Sequence, residues 1–241
     1  MRVTTTDLQN AFGKYLALTE KEDIIVVKNG KSVAKLVKYK EPDFYVVQEE
    51  TKGYQSARRI TYEEYLELVN SSDQRYELID GTVYLLASPG FRHQAAVYEI
   101  SGNFFNYFKG KPCQALTAPF DVRLHGFATK FEEDPNVVQP DVLVICDQDK
   151  VVDNKYHGVP TLVVEVLSPY TRGKDLAIKL NLYMKSGVQE FWVVDPEKET
   201  VVLYNFTPER EFEEQRFFKT GEVVVSLAFP GLELPVADIF A

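Results

Sequence analysis

Cysteine is nearly absent: the 241 residues hold two, Cys113 and Cys146, at no metal-binding spacing. That argues against a disulfide framework or a zinc knuckle and favours a reducing compartment. Long apolar runs are also missing. Stretches such as Leu162–Val163–Val164 and Val142–Leu143–Val144–Ile145 are far too short to cross a bilayer, so no membrane partner is expected. Met1-Arg2-Val3-Thr4-Thr5-Thr6-Asp7 lacks the apolar stretch of a secretory signal, and the expected location is cytoplasmic. The chain has no glycine-rich phosphate loop and no dinucleotide fingerprint, which leaves a divalent ion as the one cofactor suggested. Basic charge is short too. Twenty-seven Lys and Arg face 36 Asp and Glu, for a net charge of −9, whereas proteins that coat nucleic acid usually show a basic surface.

What is present is enough for a folded chain. Hydrophobic residues make up 45% and aromatics 13%, which supports a sizeable core and argues against bulk disorder. The length suits one large domain, or a medium domain with a small appendage. Charge is spread unevenly. Residues 1–40 carry eight Lys/Arg against four Asp/Glu, a balance of +4, which leaves 19 against 32, or −13, for the other 201. A basic N-terminal piece on an acidic body fits two modules. Acidic residues gathered at a metal site remain compatible with nucleic-acid chemistry, because a bound cation reverses the local field.

The pattern predicts three stretches: a small α+β module over 1–45, a linker over 46–59 and a larger domain over 60–241. In the first, Thr6 or Asp7 caps a helix with Leu8, Phe12, Tyr15, Leu16 and Leu18 on its apolar stripe. Two strands around Asn29-Gly30 follow as a hairpin. A short strand is expected at Phe44–Val47. In the third, Thr61-Tyr62-Glu63-Glu64 has capping-box form, and Asp80-Gly81 joins the strands Tyr76–Ile79 and Thr82–Leu86. A long amphipathic helix runs from Phe91 to about Phe108. Strands are expected near 115–123, 141–146 and 161–167, a helix over 174–185, then strands near 190–194, 200–206, 211–218 and 223–227.

The chemistry concentrates in two segments, Gln139-Pro140-Asp141-Val142 and Thr161-Leu162-Val163-Val164-Glu165-Val166-Leu167. Glu165 interrupts an apolar strand, where a lone carboxylate is costly and needs a partner, a proton or a metal. Asp141 opens the preceding strand and can reach the same sheet edge. Two carboxylates from adjacent strands, with water and substrate phosphate, suit an octahedral Mg²⁺. Such an ion activates water and stabilises charge on a phosphodiester. A turn role for Pro-Asp and an edge position for Glu165 are the plain structural alternatives.

An ordered series completes the pattern: Tyr76-Glu77-Leu78-Ile79-Asp80-Gly81, Ser88-Pro89 with His93-Gln94, Gln139-Pro140-Asp141, Glu165-Val166-Leu167-Ser168-Pro169 with Thr171-Arg172, Asp175-Leu176, Lys179, Tyr183, Gly187-Val188 and Phe191-Trp192-Val193-Val194-Asp195. Over residues 60–206 it resembles the Uma-type restriction endonucleases of the PD-(D/E)XK superfamily. The resemblance implies a restriction-endonuclease-like α/β (α+β) fold, a mixed β-sheet flanked by helices, and cleavage of DNA dependent on Mg²⁺ or Mn²⁺. It makes Asp141 and Glu165 the metal ligands and Glu77 a third acidic residue, acting on the metal directly or through water. The superfamily's lysine would fall at Leu167, which can bind neither water nor phosphate. In the Uma-type pattern it is displaced to the next helix, here Lys179. Leu176, Leu180 and Tyr183 mark that helix's packed face, and Lys179 lies one helical position from it, within reach of the carboxylates. An exposed Asp175–Lys179 pair is the structural alternative. His93 is a candidate for contacting phosphate or relaying a proton, or for a capping role. Arg172 is a candidate phosphate contact or a solvated charge.

Residues 1–40 resemble the prevent-host-death antitoxin family through Leu8, Phe12 and Leu16 and the run from Ile24 to Val37. That resemblance implies a homodimer formed through the module, either anchored on DNA phosphates or serving dimerisation only. Two function classes stay open: an Mg²⁺-dependent DNA endonuclease, and a catalytically silent DNA-binding or regulatory protein of antitoxin type.

Overall fold

Two dipeptides shape the hairpins as expected. In the computed structural model, which describes residues 1–19, 21–36, 59–168 and 174–241, Asn29 and Gly30 have φ of 51° and 75°, and Asp80 and Gly81 have 49° and 69°. Both central residues of each turn are left-handed, which matches the twist of the flanking strands and is tolerated best by Asn, Asp and Gly. The chain forms two compact units, Met1–Tyr45 and Val46–Ala241.

The first unit runs β1 (Arg2–Thr4), α1 (Thr5–Asn10), α2 (Phe12–Leu18), β2 (Ile24–Lys28) and β3 (Lys31–Leu36). Its cap is Thr4, whose hydroxyl accepts the Asp7 N–H, rather than Thr6 or Asp7. Ala11, at φ −140°, breaks the expected single helix in two. An unforeseen strand, β1, pairs parallel with β2, and β2 pairs antiparallel with β3. Val3, Ile24 and Val26 are buried, while Phe12, Leu16 and Val33 are each more than half exposed. So small an interior supplies little stability by itself. The strand expected at Phe44–Val47 lies outside the described residues.

The second unit starts with α3 (Tyr62–Asn70), where Thr61 and Glu64 form the reciprocal capping box. Next come β4 (Tyr76–Ile79), β5 (Thr82–Leu85), α4 (Phe91–Phe108), β6 (Gln114–Thr117), β7 (Val122–Leu124), β8 (Asn136–Val138) and β9 (Val142–Ile145). Then follow β10 (Val151–Val152), β11 (Lys155–Tyr156), β12 (Leu162–Val166), α5 (Lys174–Ser186), β13 (Glu190–Asp195) and β14 (Thr200–Phe206). The unit closes with β15 (Phe212–Lys219), β16 (Val223–Val225), β17 (Glu233–Pro235) and α6 (Val236–Ile239). The strand expected over 115–123 is two strands, β6 and β7, in different sheets. Pro119 between them has no N–H to give and interrupts the ladder.

The central sheet has the order β15-β14-β13-β12-β9-β6. It is mixed: β12 and β13 are parallel, joined by the α5 crossover, and the other pairings are antiparallel. A second sheet runs β10-β11-β7-β8-β4-β5. Alternation along the central strands sorts side chains to two faces. Val142, Val144, Leu162, Val164 and Trp192 pack with Ala96, Ile100, Phe104 and Phe108 of α4, which recur every four residues. Leu143, Ile145, Val163, Phe191 and Val193 pack with Leu182 and Tyr183 of α5 and with Ile79, Val122, Leu124 and Val138 of the second sheet. The space between the sheets is therefore a core layer roofed on one side by α5.

The β6–β9 pairing corrects one expectation. Gln114 lies opposite Ile145, so Cys113 and Cys146 face each other one step further on, and they form a disulfide. A separation of 33 residues hid a cross-strand neighbour pair. With both cysteines in a disulfide, cysteine usage no longer points to a reducing compartment. Among the described residues no helix is long and apolar enough to cross a membrane.

Candidate active site

Strand register brings the two principal carboxylates together. β9 and β12 are antiparallel, with Val144 opposite Leu162 and Val142 opposite Val164. One step past the end of β9, the same register sets Asp141 opposite Glu165. Their parity with Leu143 and Val163 turns both toward the α5 side of the sheet. Asp141 Oδ2 accepts the Val166 backbone N–H at 2.8 Å and lies 3.2 Å from His93 Nε2 in the first turn of α4. The helix that builds the core on one face thus reaches around to the carboxylate on the other.

α5 supplies the opposite wall. Lys179 and Tyr183 are one turn apart on the same face of that helix. Lys179 Nζ donates to Glu165 Oε1 at 3.0 Å and to Glu77 Oε1 at 3.1 Å, and the Tyr183 hydroxyl donates to Glu165 Oε1 at 2.6 Å. Glu77 arrives from the second sheet. Tyr76 and Leu78 of β4 join the cluster under α3, while Ile79 enters the layer between the sheets, and Glu77 shares the face of Ile79. Its Oε1 also accepts the Gln139 N–H at 2.8 Å. The Glu77 side chain is 2% exposed, against 13% for Glu165 and 19% for Asp141. Glu77 is therefore sealed behind the other two, which reach the surface.

Three carboxylates surround one ammonium and one imidazole. Burial pushes the Glu165 carboxyl up to about 7, with Asp141 and Glu77 adding to the rise and Lys179 and Tyr183 opposing it. Burial works against the Lys179 ammonium, yet Glu165 and Glu77 outweigh it and hold the lysine protonated well past its ordinary range. The Tyr183 phenol is pushed up by burial and by the charges of Glu165 and Glu77, so it stays a donor. For His93, burial lowers the pKa, but the hydrogen bond and charge of Asp141 prevail and the net direction is upward. The centre carries surplus negative charge, which a divalent cation would offset.

Among the described residues no three His, Cys, Asp or Glu side chains gather into a metal cluster. On the two carboxylates that reach the surface, one oxygen each nonetheless takes no hydrogen bond from a described residue. Oδ2 of Asp141 and Oε1 of Glu165 take the donors named above, and no hydrogen bond from a described residue reaches Asp141 Oδ1 or Glu165 Oε2. Hard carboxylate oxygens in a negative site suit Mg²⁺ or Mn²⁺, which use one or two protein carboxylates and keep several waters. The residues present fit such an ion at Asp141 and Glu165, while Glu77, its Oε1 engaged by Lys179 and Gln139, is sealed at 2% exposure.

The structure brings Glu77, His93, Asp141, Glu165 and Lys179 into one connected set; Arg172 lies outside the described residues. Leu167 packs against the apolar layer. Sequence reasoning gave Tyr183 a packing role alone, and its hydroxyl reaches the site. The available signal was its spacing, four residues after Lys179 on the same helix face.

The fold is restriction-endonuclease-like, a mixed sheet flanked by helices. The model of the Uma2 family, described as "Putative restriction endonuclease", matches residues 62–237, and the chain belongs to that family. Families of this kind generally use divalent metals. Two similar proteins come from Synechocystis sp. The uncharacterized protein slr1290 is 28% identical over 148 residues, covering 61% of this chain and 74% of its own length. The uncharacterized protein sll1609 is 24% identical over 139 residues, covering 56% and 75%. A crystal structure described as a "putative nuclease belonging to DUF820" from Anabaena variabilis superposes with a TM-score of 0.61 at 23% identity, covering 75% of this chain and 97% of that one, and so shares the fold.

Proposed function

We propose that this chain is a divalent-metal-dependent endonuclease hydrolysing phosphodiester bonds in DNA, with Asp141 and Glu165 as metal ligands and Lys179 at the reacting phosphate. The reading is carried by the facing pair Asp141 and Glu165, each with one oxygen engaged by protein donors and the other taking no hydrogen bond from a described residue, and Lys179 Nζ 3.0 Å from Glu165. When bound, Mg²⁺ or Mn²⁺ supplies Lewis acidity, acidifying water and offsetting charge on the phosphate. Lys179 keeps its proton between Glu165 and Glu77. Its part is therefore a fixed positive charge and a donor to the phosphate or the attacking water, not that of a base. Glu77 holds the ammonium from the sealed side of the site. With a leucine at position 167, α5 is the element that delivers this charge.

Residues 1–45 extend the proposal. Exposed Phe12, Leu16 and Val33 on a unit whose described residues bury only the apolar side chains of Val3, Ile24 and Val26 support pairing with a second copy, with Arg2 and Lys14 supplied to DNA phosphates. The same feature favours the second reading, a catalytically silent DNA-binding or regulatory protein of antitoxin type. Incubation of supercoiled plasmid with Mg²⁺ or Mn²⁺ separates the two. Nicking that requires metal and disappears in Glu165→Ala supports the nuclease. A wild type that binds plasmid but cuts no duplex or single-stranded substrate overturns it.

A further inference from the structure

The two carboxylates are held in matching ways. Asp141 Oδ2 receives one backbone donor, Val166 N–H at 2.8 Å, and one side-chain partner, His93 Nε2 at 3.2 Å. Glu165 Oε1 receives one cation, Lys179 Nζ at 3.0 Å, and one neutral donor, the Tyr183 hydroxyl at 2.6 Å. A carboxylate with a single anchor can rotate about its last torsion and exchange its oxygens, because that torsion is broad and two-fold. Two anchors from different directions on the same oxygen remove that freedom and leave the other oxygen fixed in place. The anchors come from elements on opposite sides of the sheet. Tyr183 sits on α5 and is fully buried, and His93 sits in the first turn of α4.

We propose that Tyr183 and His93 are a pair of positioning residues that fix the rotamers of Glu165 and Asp141, so that Oε2 and Oδ1 converge on one divalent cation. The inference rests on the metal-ligand reading above and assigns two residues to it. Neither residue touches the cation; each acts through a carboxylate. Among the described residues the Tyr183 hydroxyl bonds to Glu165 alone, and its ring packs against Phe191 at a centroid distance of 5.0 Å. Partners that orient metal ligands commonly govern affinity by 10- to 100-fold.

The test is Mn²⁺ binding to the full chain, followed by titration calorimetry and by the electron paramagnetic resonance of the ion. Tyr183→Phe keeps the ring and removes the donor. His93→Ala removes the partner of Asp141, and His93→Gln keeps an amide donor near the Nε2 position. Tyr183→Phe and His93→Ala are each expected to weaken Mn²⁺ by about 10-fold or more, with His93→Gln restoring most of the loss and melting temperatures accounting for none of it. Wild-type Mn²⁺ affinity in both Tyr183→Phe and His93→Ala overturns the inference while leaving the ligands standing. A wild type that binds no Mn²⁺, or an Asp141→Asn variant that binds it equally well, overturns the metal-ligand reading itself, and the inference falls with it.

Discussion

Removing the charge of Glu165 should stabilise the metal-free protein. Its carboxyl rises from an ordinary 4.5 to about 7, chiefly through burial, a change worth roughly 3 kcal/mol at 1.36 kcal/mol per tenfold change. For a carboxyl raised by folding, the stability contribution is complete below the unfolded value. It is lost as pH climbs through the folded one, because the folded chain must then hold a buried charge. Glu165→Gln cannot ionise and escapes that loss. In urea titrations with EDTA, the variant should exceed wild type by up to about 3 kcal/mol at pH 8, and by no more than about 1 kcal/mol at pH 5. Mn²⁺ at a thousand times its Kd should reverse the order, since that excess adds about 4.1 kcal/mol to whichever protein binds it. A Glu165→Gln variant no more stable than wild type at pH 8 in EDTA, with no change in the gap between pH 5 and pH 8, would refute the reasoning.

Lys179→Met should slow single-turnover plasmid cleavage by at least about 100-fold. It should also cost about 3–5 kcal/mol of stability in denaturant, because Glu165 and Glu77 lose their buried cation. Reduction of Cys113–Cys146, which spans 33 residues, should lower stability by about 3–4 kcal/mol in the loop-entropy account. Urea curves with and without a phosphine reductant, alongside thiol counting, check this, and coincident curves for oxidised and reduced protein would contradict it. Glu190 is fully buried and accepts from Trp192 Nε1, the Ser226 hydroxyl and the Leu227 and Ala228 N–H groups. Glu190→Ala leaves those donors without an acceptor and should cost at least about 3 kcal/mol, read as a shift in the urea midpoint.

Much of the second unit was legible because its signals are local. The capping box at Thr61, the Asp80-Gly81 turn and the spacing of Ala96, Ile100, Phe104 and Phe108 each name an element within a few residues. The bounds of α4 agree with expectation at both ends. The isolated charge of Glu165 within an apolar strand was also visible. What stayed hidden depends on register. The meeting of Asp141 and Glu165 was expected, but Cys113 meets Cys146 only once β9 has found β6, and no local pattern records that pairing. Strands such as β8 and β11 are too short for alternation to show. Glu77 reads as one polar position in a hairpin, because its burial comes from a second sheet folding over the first. The Tyr183 hydroxyl was masked by its ring, which satisfies the packing pattern by itself.

Wild-type crystals soaked in Mn²⁺, at a concentration that supports plasmid nicking in solution, offer the most direct check through the anomalous signal of the ion. The expected result is a peak bridging Asp141 and Glu165, absent from crystals of Asp141→Asn. Nicking at that same concentration with no peak between the two carboxylates, or with the ion bound elsewhere, would contradict the assignment of Asp141 and Glu165 as the catalytic metal site.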